Sequence, residues 1–347
     1  MRVAIGLSGG VDSSVAAAVL KEQGYEVIGI TMRLWDNEED SGARDAKIVA
    51  DFLGIEHHVV DFRQEFSDLV VDYFTKEYLS GRTPNPCIAC NRYLKFEALR
   101  QKAMELGAKK IATGHYARIV KDEETNRYCL YKGLADTKDQ TYVLYSLSQE
   151  QLAMTLMPLG GFQDKDAVRQ KAEELGIPIF NKPDSMEICF IPDQDYAKFI
   201  KERVGALPPA GDFVDVEGNV LGQHRGIVHY TVGQRKGLGI AFGKPMFVLS
   251  IDPMKNQIML GESGSEFSGS LLATEPNFIP FSTLEKPMKV YAKVRYSAKP
   301  APAMVYPEGD CLRVEFETPQ RAITPGQAVV FYQPDGDMVL GGATILK

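Results

Sequence analysis

No apolar run in the 347 residues is long enough to span a bilayer, and no signal-peptide pattern opens the chain. The expectation is a cytoplasmic protein with no membrane partner. Cysteine is scarce: five residues in a reducing compartment are poor material for structural disulfides, which leaves chemistry or metal binding. Cys87 and Cys90 form a Cys-x-x-Cys pair, but the second pair that a structural zinc site requires is missing. An excess of positive charge is missing too. The 39 Lys and Arg against 46 Asp and Glu leave a net charge of −7, which argues against nonspecific coating of nucleic acid but leaves room for a local basic patch. No internal repeat or low-complexity tract occurs, and 44% hydrophobic with 24% charged residues is ordinary globular composition. A chain of 347 residues exceeds the usual size of one core, so two or three domains are expected.

The first half alternates strands and helices as a parallel sheet does: strand Val3 to Leu7, helix Val11 to Gln23, strand Glu26 to Met32, helix Gly42 to Leu53 and strand His57 to Asp61. Lys95 to Leu106 has helical spacing, Lys110 to Gly114 reads as a strand, and Gln149 to Leu156 and Lys165 to Leu175 read as helices. The spacing predicts a doubly wound α/β domain over residues 1–205. At Ala206-Leu207-Pro208-Pro209-Ala210-Gly211 the texture turns to prolines and glycines, which marks a linker. A small central domain, 206–270, then holds a hairpin of Pro245 to Ile251 with Gln257 to Leu260. Beyond it, Val290 to Tyr296, Leu312 to Phe316, Ala328 to Tyr332 and Val339 to Ile345 alternate and predict a C-terminal β-barrel over 271–347.

The most informative segment is Ser8-Gly9-Gly10-Val11-Asp12-Ser13-Ser14, between the first strand and the first helix. Its two glycines let the backbone approach an anion, and the free N–H groups at a helix N-terminus point at it. Ser13 and Ser14 add hydroxyl donors, and Asp12 can hold a Mg²⁺ against phosphates. The bland alternative is a tight connection with an N-capping serine. The Gly-Lys-Ser/Thr ending of the common P-loop is missing, so this loop supplies no lysine for a transferring γ-phosphate, and the chemistry is expected at the α-phosphate.

Cys87 and Cys90 sit after two prolines in Thr83-Pro84-Asn85-Pro86-Cys87-Ile88-Ala89-Cys90-Asn91, where Asn91 can cap the helix carrying Lys95 and Phe96. Thiols at a helix N-terminus near Arg82 and Arg92 are expected to have a lowered pKa. Cys129 and Cys311 read as small buried hydrophobes, and Cys189, between apolar residues, can be core. His57 and His58 read as structural. Arg235-Lys236 and Lys293, Arg295 and Lys299 are either solvated faces or a localised phosphate-binding surface.

Taken in order, the loop above, Asn85-Pro86 with Cys90-Asn91, Thr113-Gly114-His115-Tyr116, Lys138-Asp139-Gln140, Glu187-Ile188-Cys189-Phe190-Ile191, Gly233 to Gly239 and Pro325-Gly326-Gln327 resemble the bacterial tRNA-specific 2-thiouridylases, of the PP-loop ATP pyrophosphatase superfamily. The resemblance runs nearly end to end. It implies a PP-loop domain, a small central domain and a C-terminal β-barrel, and an ATP-dependent thiolation of the wobble uridine of tRNAs with Lys, Glu and Gln type anticodons. By the same resemblance ATP lies along Gly6, Leu7, Ser8, Gly9, Gly10, Val11, Asp12 and Ser13, with Met32 and Gly114 near adenine and ribose. His115, Lys138, Asp139, Gln140, Arg295, Tyr296 and Gln327 match positions facing tRNA, and Asn85, Pro86 and Cys87 match the segment beside the target base. Cys90 matches the nucleophile and Cys189 the persulfide carrier, loaded by a sulfur donor such as a cysteine desulfurase or a sulfur relay protein.

The chemistry accounts for these residue types. A uracil C2 oxygen leaves badly, so it first attacks the α-phosphate, with Mg²⁺ helping pyrophosphate depart, and AMP becomes the leaving group. A persulfide on Cys189 then attacks C2 or yields sulfide to Cys90, and either route ends in a Cys90–Cys189 disulfide. Family members commonly carry an acidic residue where this chain has Cys87. Three thiols, Cys87, Cys90 and Cys189, are a possible ligand set for a [4Fe-4S] cluster, the alternative to a persulfide relay. A PP-loop ligase using an amine nucleophile, and a noncatalytic ATP-gated RNA-binding protein, are the rival readings.

Overall fold

The computed structural model describes residues 1–35, 41–183, 188–241 and 243–347. From the N-terminus come β1 (Arg2–Gly6), β2 (Glu26–Arg33), β3 (Glu56–Asp61), β4 (Lys110–Ala112), a hairpin of β5 (Ala117–Asp122) and β6 (Arg127–Lys132), and β7 (Thr155–Leu156). Five of these form a parallel sheet in the order β3-β2-β1-β4-β7. The strands are apolar on both faces because helices cover both. Val3 and Ile5 point into a core with Val15, Ala16, Val49 and Val168, while Ala4, Ile28 and Ile30 face Phe96, Leu99 and Tyr142 on the other side. Small residues Ala16, Ala17 and Ala18 let the helix Val11–Glu22 lie close to the sheet. This is the doubly wound domain expected.

Two local readings are corrected. Gln149 to Leu156 is not one helix: a capping box of Ser148 and Gln151 starts a short helix, Gln149–Ala153, and the chain then extends so that Thr155 and Leu156 pair with Ile111 and Ala112 as the sheet's edge. A β-branched residue with an unpaired neighbouring strand favours that extension. The helix expected from Lys95 instead begins at Pro86, with Asn85 as its cap, so Asn91 caps nothing. Asn91 is buried within the helix and donates through Nδ2 to the carbonyl of Val143 at 3.0 Å.

The central part contains β8 (Gly211–Val214), β9 (Val220–His224), β10 (Met246–Asp252) and β11 (Gln257–Glu262), in the order β10-β11-β8-β9. Its core, with Phe213, Tyr230, Val248 and Leu260, also takes Phe74 from the helix Asp72–Leu79 and Ile200 from the helix Tyr196–Val204. The C-terminal part holds β12 (Phe267–Phe278), β13 (Met288–Lys293), β14 (Ala301–Glu308), β15 (Cys311–Arg321), β16 (Ala328–Tyr332) and β17 (Met338–Ile345). These run β12-β15-β14-β13-β16-β17, and pairing of β12 with β17 closes the barrel. The hairpin β5–β6 is bonded to this barrel, because Met338 and Val339 of β17 pair with Tyr131 and Leu130. Among the described residues no helix is long and apolar enough to cross a membrane.

Candidate functional site

The turn after β1 lies at the carboxyl end of the parallel sheet, where open α/β sheets bind ligands. Gly9 has φ +70°, and a Cβ there would lie 2.3 Å from the carbonyl oxygen of Gly42, so only glycine fits. The helix Val11–Glu22 has Gly10 at its cap with no side-chain cap hydrogen bond, so no serine satisfies the first-turn N–H groups. The hydroxyls of Ser13 and Ser14 donate to the Gly10 carbonyl at 3.0 and 2.8 Å, and Ser13 Oγ accepts from the Ser8 N–H at 3.2 Å. They brace the loop. Ser14 is fully buried, which leaves its hydroxyl no access to a ligand. Gly114 closes on the loop from the end of β4: a Cβ there would lie 2.9 Å from Ser13 N.

Two lysines reach this loop from far along the chain. Lys165 pairs with Asp12 Oδ1 at 2.6 Å, the same oxygen that accepts from the Tyr116 hydroxyl at 2.7 Å. Lys182 donates to the Gly9 carbonyl at 2.9 Å and pairs with Asp45 at 2.5 Å. Sequence spacing gave no sign of either, since 153 and 173 residues separate each lysine from its partner in the loop. The loop itself lacks a lysine, but its surroundings do not.

Cys87 and Cys90 lie on the helix that Asn85 caps by accepting from the Cys87 N–H at 3.1 Å. The Thr83 loop ahead of it is clamped from the barrel: Gln327 Nε2 donates to the Thr83 carbonyl at 2.7 Å, and the Thr83 N–H donates to Pro325 at 2.9 Å. From Cys90 to Ala98 the helix widens to i→i+5 bonding, a departure frequent at functional sites. Cys90 is buried in a cluster with Phe62, Phe66, Val70 and Leu94, against which Met32, Leu34, Trp35 and Phe190 pack. The end of β2 and the residue next to Cys189 thus share one apolar wall with Cys90. Phe190 is fixed there by Phe66, Phe74 and Phe199, with ring centroids 5.4, 5.5 and 5.2 Å away. Glu187 of the expected motif lies outside the described residues.

The expected fall in thiol pKa does not occur at Cys90. Burial pushes its thiol up, and the nearby ammonium of Lys95 does not offset it. Cys189 reaches the surface, so it is not core, yet partial burial of its sulfur, with smaller contributions from Cys90 and Cys87, pushes its thiol up to about 12. Desolvation outweighs the helix terminus. All five cysteines are free thiols; Cys129 is buried as expected, whereas Cys311 is partly exposed. Among the described residues no group of three His, Cys, Asp or Glu is gathered as a metal ion requires.

Residues expected to face RNA divide into exposed and buried. Tyr296 is 46% exposed, and partial burial raises its hydroxyl pKa, with Asp139 adding to the rise and Lys138 opposing it. Lys293 lies 5.3 Å from the Tyr296 ring centroid and 5.7 Å from that of Tyr142, the ring whose hydroxyl also feels Arg295. Asp139 accepts from the Thr141 hydroxyl at 2.6 Å, and Gln140 Oε1 accepts from the Tyr116 N–H at 3.0 Å. His115 is buried, bonded to Thr113 Oγ1 at 2.8 Å, and burial holds its pKa well below the ordinary value. Arg235 and Lys236 are exposed, and Arg235 lines an open groove of about 640 Å³ with Leu238, Ile240, Lys244 and Met246.

Residues 1–193 match a family model described as a tRNA methyl transferase HUP domain, 197–262 a tRNA methyl transferase PRC-barrel domain, and 268–345 an aminomethyltransferase beta-barrel domain. A tRNA-specific 2-thiouridylase of Clostridioides difficile is 52% identical, covering 100% of this chain and 98% of its own length. Those of Acetivibrio thermocellus and Clostridium acetobutylicum are 55% and 54% identical, each covering 99% of both chains.

Proposed function

The chain belongs to the tRNA-specific 2-thiouridylase family, and from that premise we propose that it is an ATP-dependent tRNA sulfurtransferase that converts uridine 34 of tRNAs with Lys, Glu and Gln type anticodons to 2-thiouridine. The observation that supports this reading is the single apolar wall joining Met32, Cys90 and Phe190, which packs the end of β2 and the neighbour of Cys189 against the Cys90 side chain.

The target base leaves its stack at a cost of a few kcal/mol. Its O2 attacks the α-phosphorus of ATP, the bond from that phosphorus to the bridging oxygen breaks, and pyrophosphate leaves with the electron pair while the N3 proton goes to solvent. The uncapped N–H groups at Gly10 to Ser13 receive the negative charge. Asp12 is the residue that would hold Mg²⁺, which would neutralise charge on the departing phosphates. The terminal sulfur of a Cys189 persulfide then attacks C2 and AMP departs. Cys90 attacks the Cys189 sulfur, freeing the thiocarbonyl and leaving a Cys90–Cys189 disulfide that a dithiol donor must reduce. The raised thiol pKa values at Cys90 and Cys189 support a resting state in which both are protonated, which protects them from oxidation until sulfur is delivered. Delivery falls to a cysteine desulfurase or a sulfur relay protein. Among the described residues Cys87, Cys90 and Cys189 are not gathered as metal ligands, which favours the persulfide relay over a [4Fe-4S] cluster on these thiols.

Three units, 1–205, 206–270 and 271–347, divide the labour in this reading. The first activates and thiolates, and the other two, carrying Arg235, Arg295 and Tyr296, hold the RNA. Mass spectrometry of tRNA nucleosides after incubation with ATP, Mg²⁺ and a sulfur source tests it. The expected product is 2-thiouridine with one pyrophosphate per base, lost in Cys90→Ser and in Cys189→Ser. Retention of product in either variant overturns the relay.

A further inference from the structure

The geometry points to Lys182 as a phosphate-binding residue: we propose that its ammonium leaves Asp45 for the β- and γ-phosphates of ATP and follows them as pyrophosphate departs. This rests on the ATP-dependent reading above and adds to it a ligand that lies outside the glycine loop.

The loop Ser8 to Ser14 contains no cation, although a bound triphosphate brings several negative charges into a partly desolvated turn. Backbone N–H groups and a helix dipole supply partial charge only. A full positive charge must come from elsewhere in the fold, and Lys182 meets the geometric requirement. Its Nζ donates to the carbonyl of Gly9, the residue at the apex of the turn, at 2.9 Å. Asp45 holds the same ammonium at 2.5 Å, and is brought there because the start of the helix Ser41–Leu53 packs directly on Gly9. The side chains of Lys182 and Asp45 are 35% and 26% exposed, so a ligand in the loop can reach them. Solvent-exposed ion pairs contribute little stability, so the pair itself does not explain why a lysine is held on an anion-binding turn. An ammonium shared by one carboxylate and one carbonyl keeps a third N–H, and its exchange of Asp45 for phosphate oxygens makes and breaks hydrogen bonds only. Lys165 is committed to Asp12, further along the same loop, which leaves Lys182 as the ammonium held on its backbone.

The position of Lys182 in the chain adds a consequence. Seven residues on is Cys189, whose neighbour Phe190 is docked on the wall containing Cys90. A charge that leaves with pyrophosphate is therefore carried by the same stretch of chain as the sulfur that must arrive next.

Calorimetric titration of the full-length protein with ATP and, separately, with AMP in the presence of Mg²⁺ tests the proposal. Lys182→Gln is expected to weaken ATP about tenfold or more while AMP affinity stays within about twofold, because a charge-assisted hydrogen bond is lost only to the outer phosphates. Lys182→Arg, which keeps the charge, is expected to retain most ATP affinity and serves if the glutamine variant does not fold. Equal weakening for ATP and AMP would assign Lys182 a purely structural role, and unchanged ATP affinity would remove it from the site; either overturns the proposal. A parent protein that binds no ATP would instead overturn the reading on which it rests.

Discussion

Replacing Gly114 by alanine adds one methyl group at the place where the end of β4 meets the glycine loop. That Cβ would stand 2.9 Å from Ser13 N, 3.0 Å from Asp12 C and 3.1 Å from Asp12 Cβ. None of these is the far end of a flexible side chain, so relief requires the loop itself to move. Overpacking of this kind costs about 1–3 kcal/mol. In the empty protein the loop can shift by a few tenths of an ångström and shed that strain. Binding ATP demands the original positions of the N–H groups from Gly10 to Ser13, so the strain returns as lost affinity. At about 1.4 kcal/mol per factor of ten, ATP binding should weaken roughly 5- to 150-fold. Gly161→Ala is the control, since a Cβ there meets nothing within 4 Å. Calorimetric titration with ATP, beside thermal melts of all three proteins, gives the answer. If Gly114→Ala binds ATP as tightly as Gly161→Ala, the loop is not the nucleotide's seat and the argument from close approach fails.

Three further outcomes follow from the same geometry. Cys189, pushed up to about 12 against about 8.5 for an unhindered thiol, stays protonated through the neutral range, so its alkylation by iodoacetamide should still accelerate above pH 10; peptide mapping that shows a plateau by pH 9 refutes the assignment. Gln327→Ala removes the clamp on the Thr83 carbonyl, worth about 1 kcal/mol, and should slow 2-thiouridine formation severalfold with ATP affinity intact; an unchanged rate removes the clamp from the mechanism. Arg235→Ala should weaken tRNA binding and reduce the slope of log affinity against log salt by about 1, measured by filter retention; an unchanged slope means that Arg235 touches no phosphate.

Local patterns in this chain were readable where one physical cause dominates. Val3 to Leu7 followed by two glycines and a helical run could only be a strand, a turn and a helix, and the sheet and the anion-binding loop follow from that. Thr155 and Leu156 were not readable, because their extended shape depends on the edge of β4 awaiting a partner. The pKa expectation at Cys90 failed for the same reason. A helix N-terminus is visible in Pro86-Cys87, but the desolvation that outweighs it comes from Phe62, Phe66 and Val70, 20 to 28 residues before Cys90 in sequence. Lys165 and Lys182 were likewise silent, since nothing in the Lys-rich segments after residue 160 refers to Asp12 or Gly9. Gln327 matches a tRNA-facing position by resemblance; in the structure its Nε2 donates to the carbonyl of Thr83, two residues ahead of the segment assigned to the target base.

The pairing of Met338 and Val339 with Tyr131 and Leu130 also bears on how the molecule is made. Leu130 and Tyr142 share a core with Val330, Tyr332 and Val339, so a nascent chain that has already formed its parallel sheet still displays an unfinished apolar seam. That seam closes only when β17 pairs with β6. A chain lacking β17 would therefore carry an exposed greasy flank, fit for capture by chaperones or proteases rather than for work on RNA.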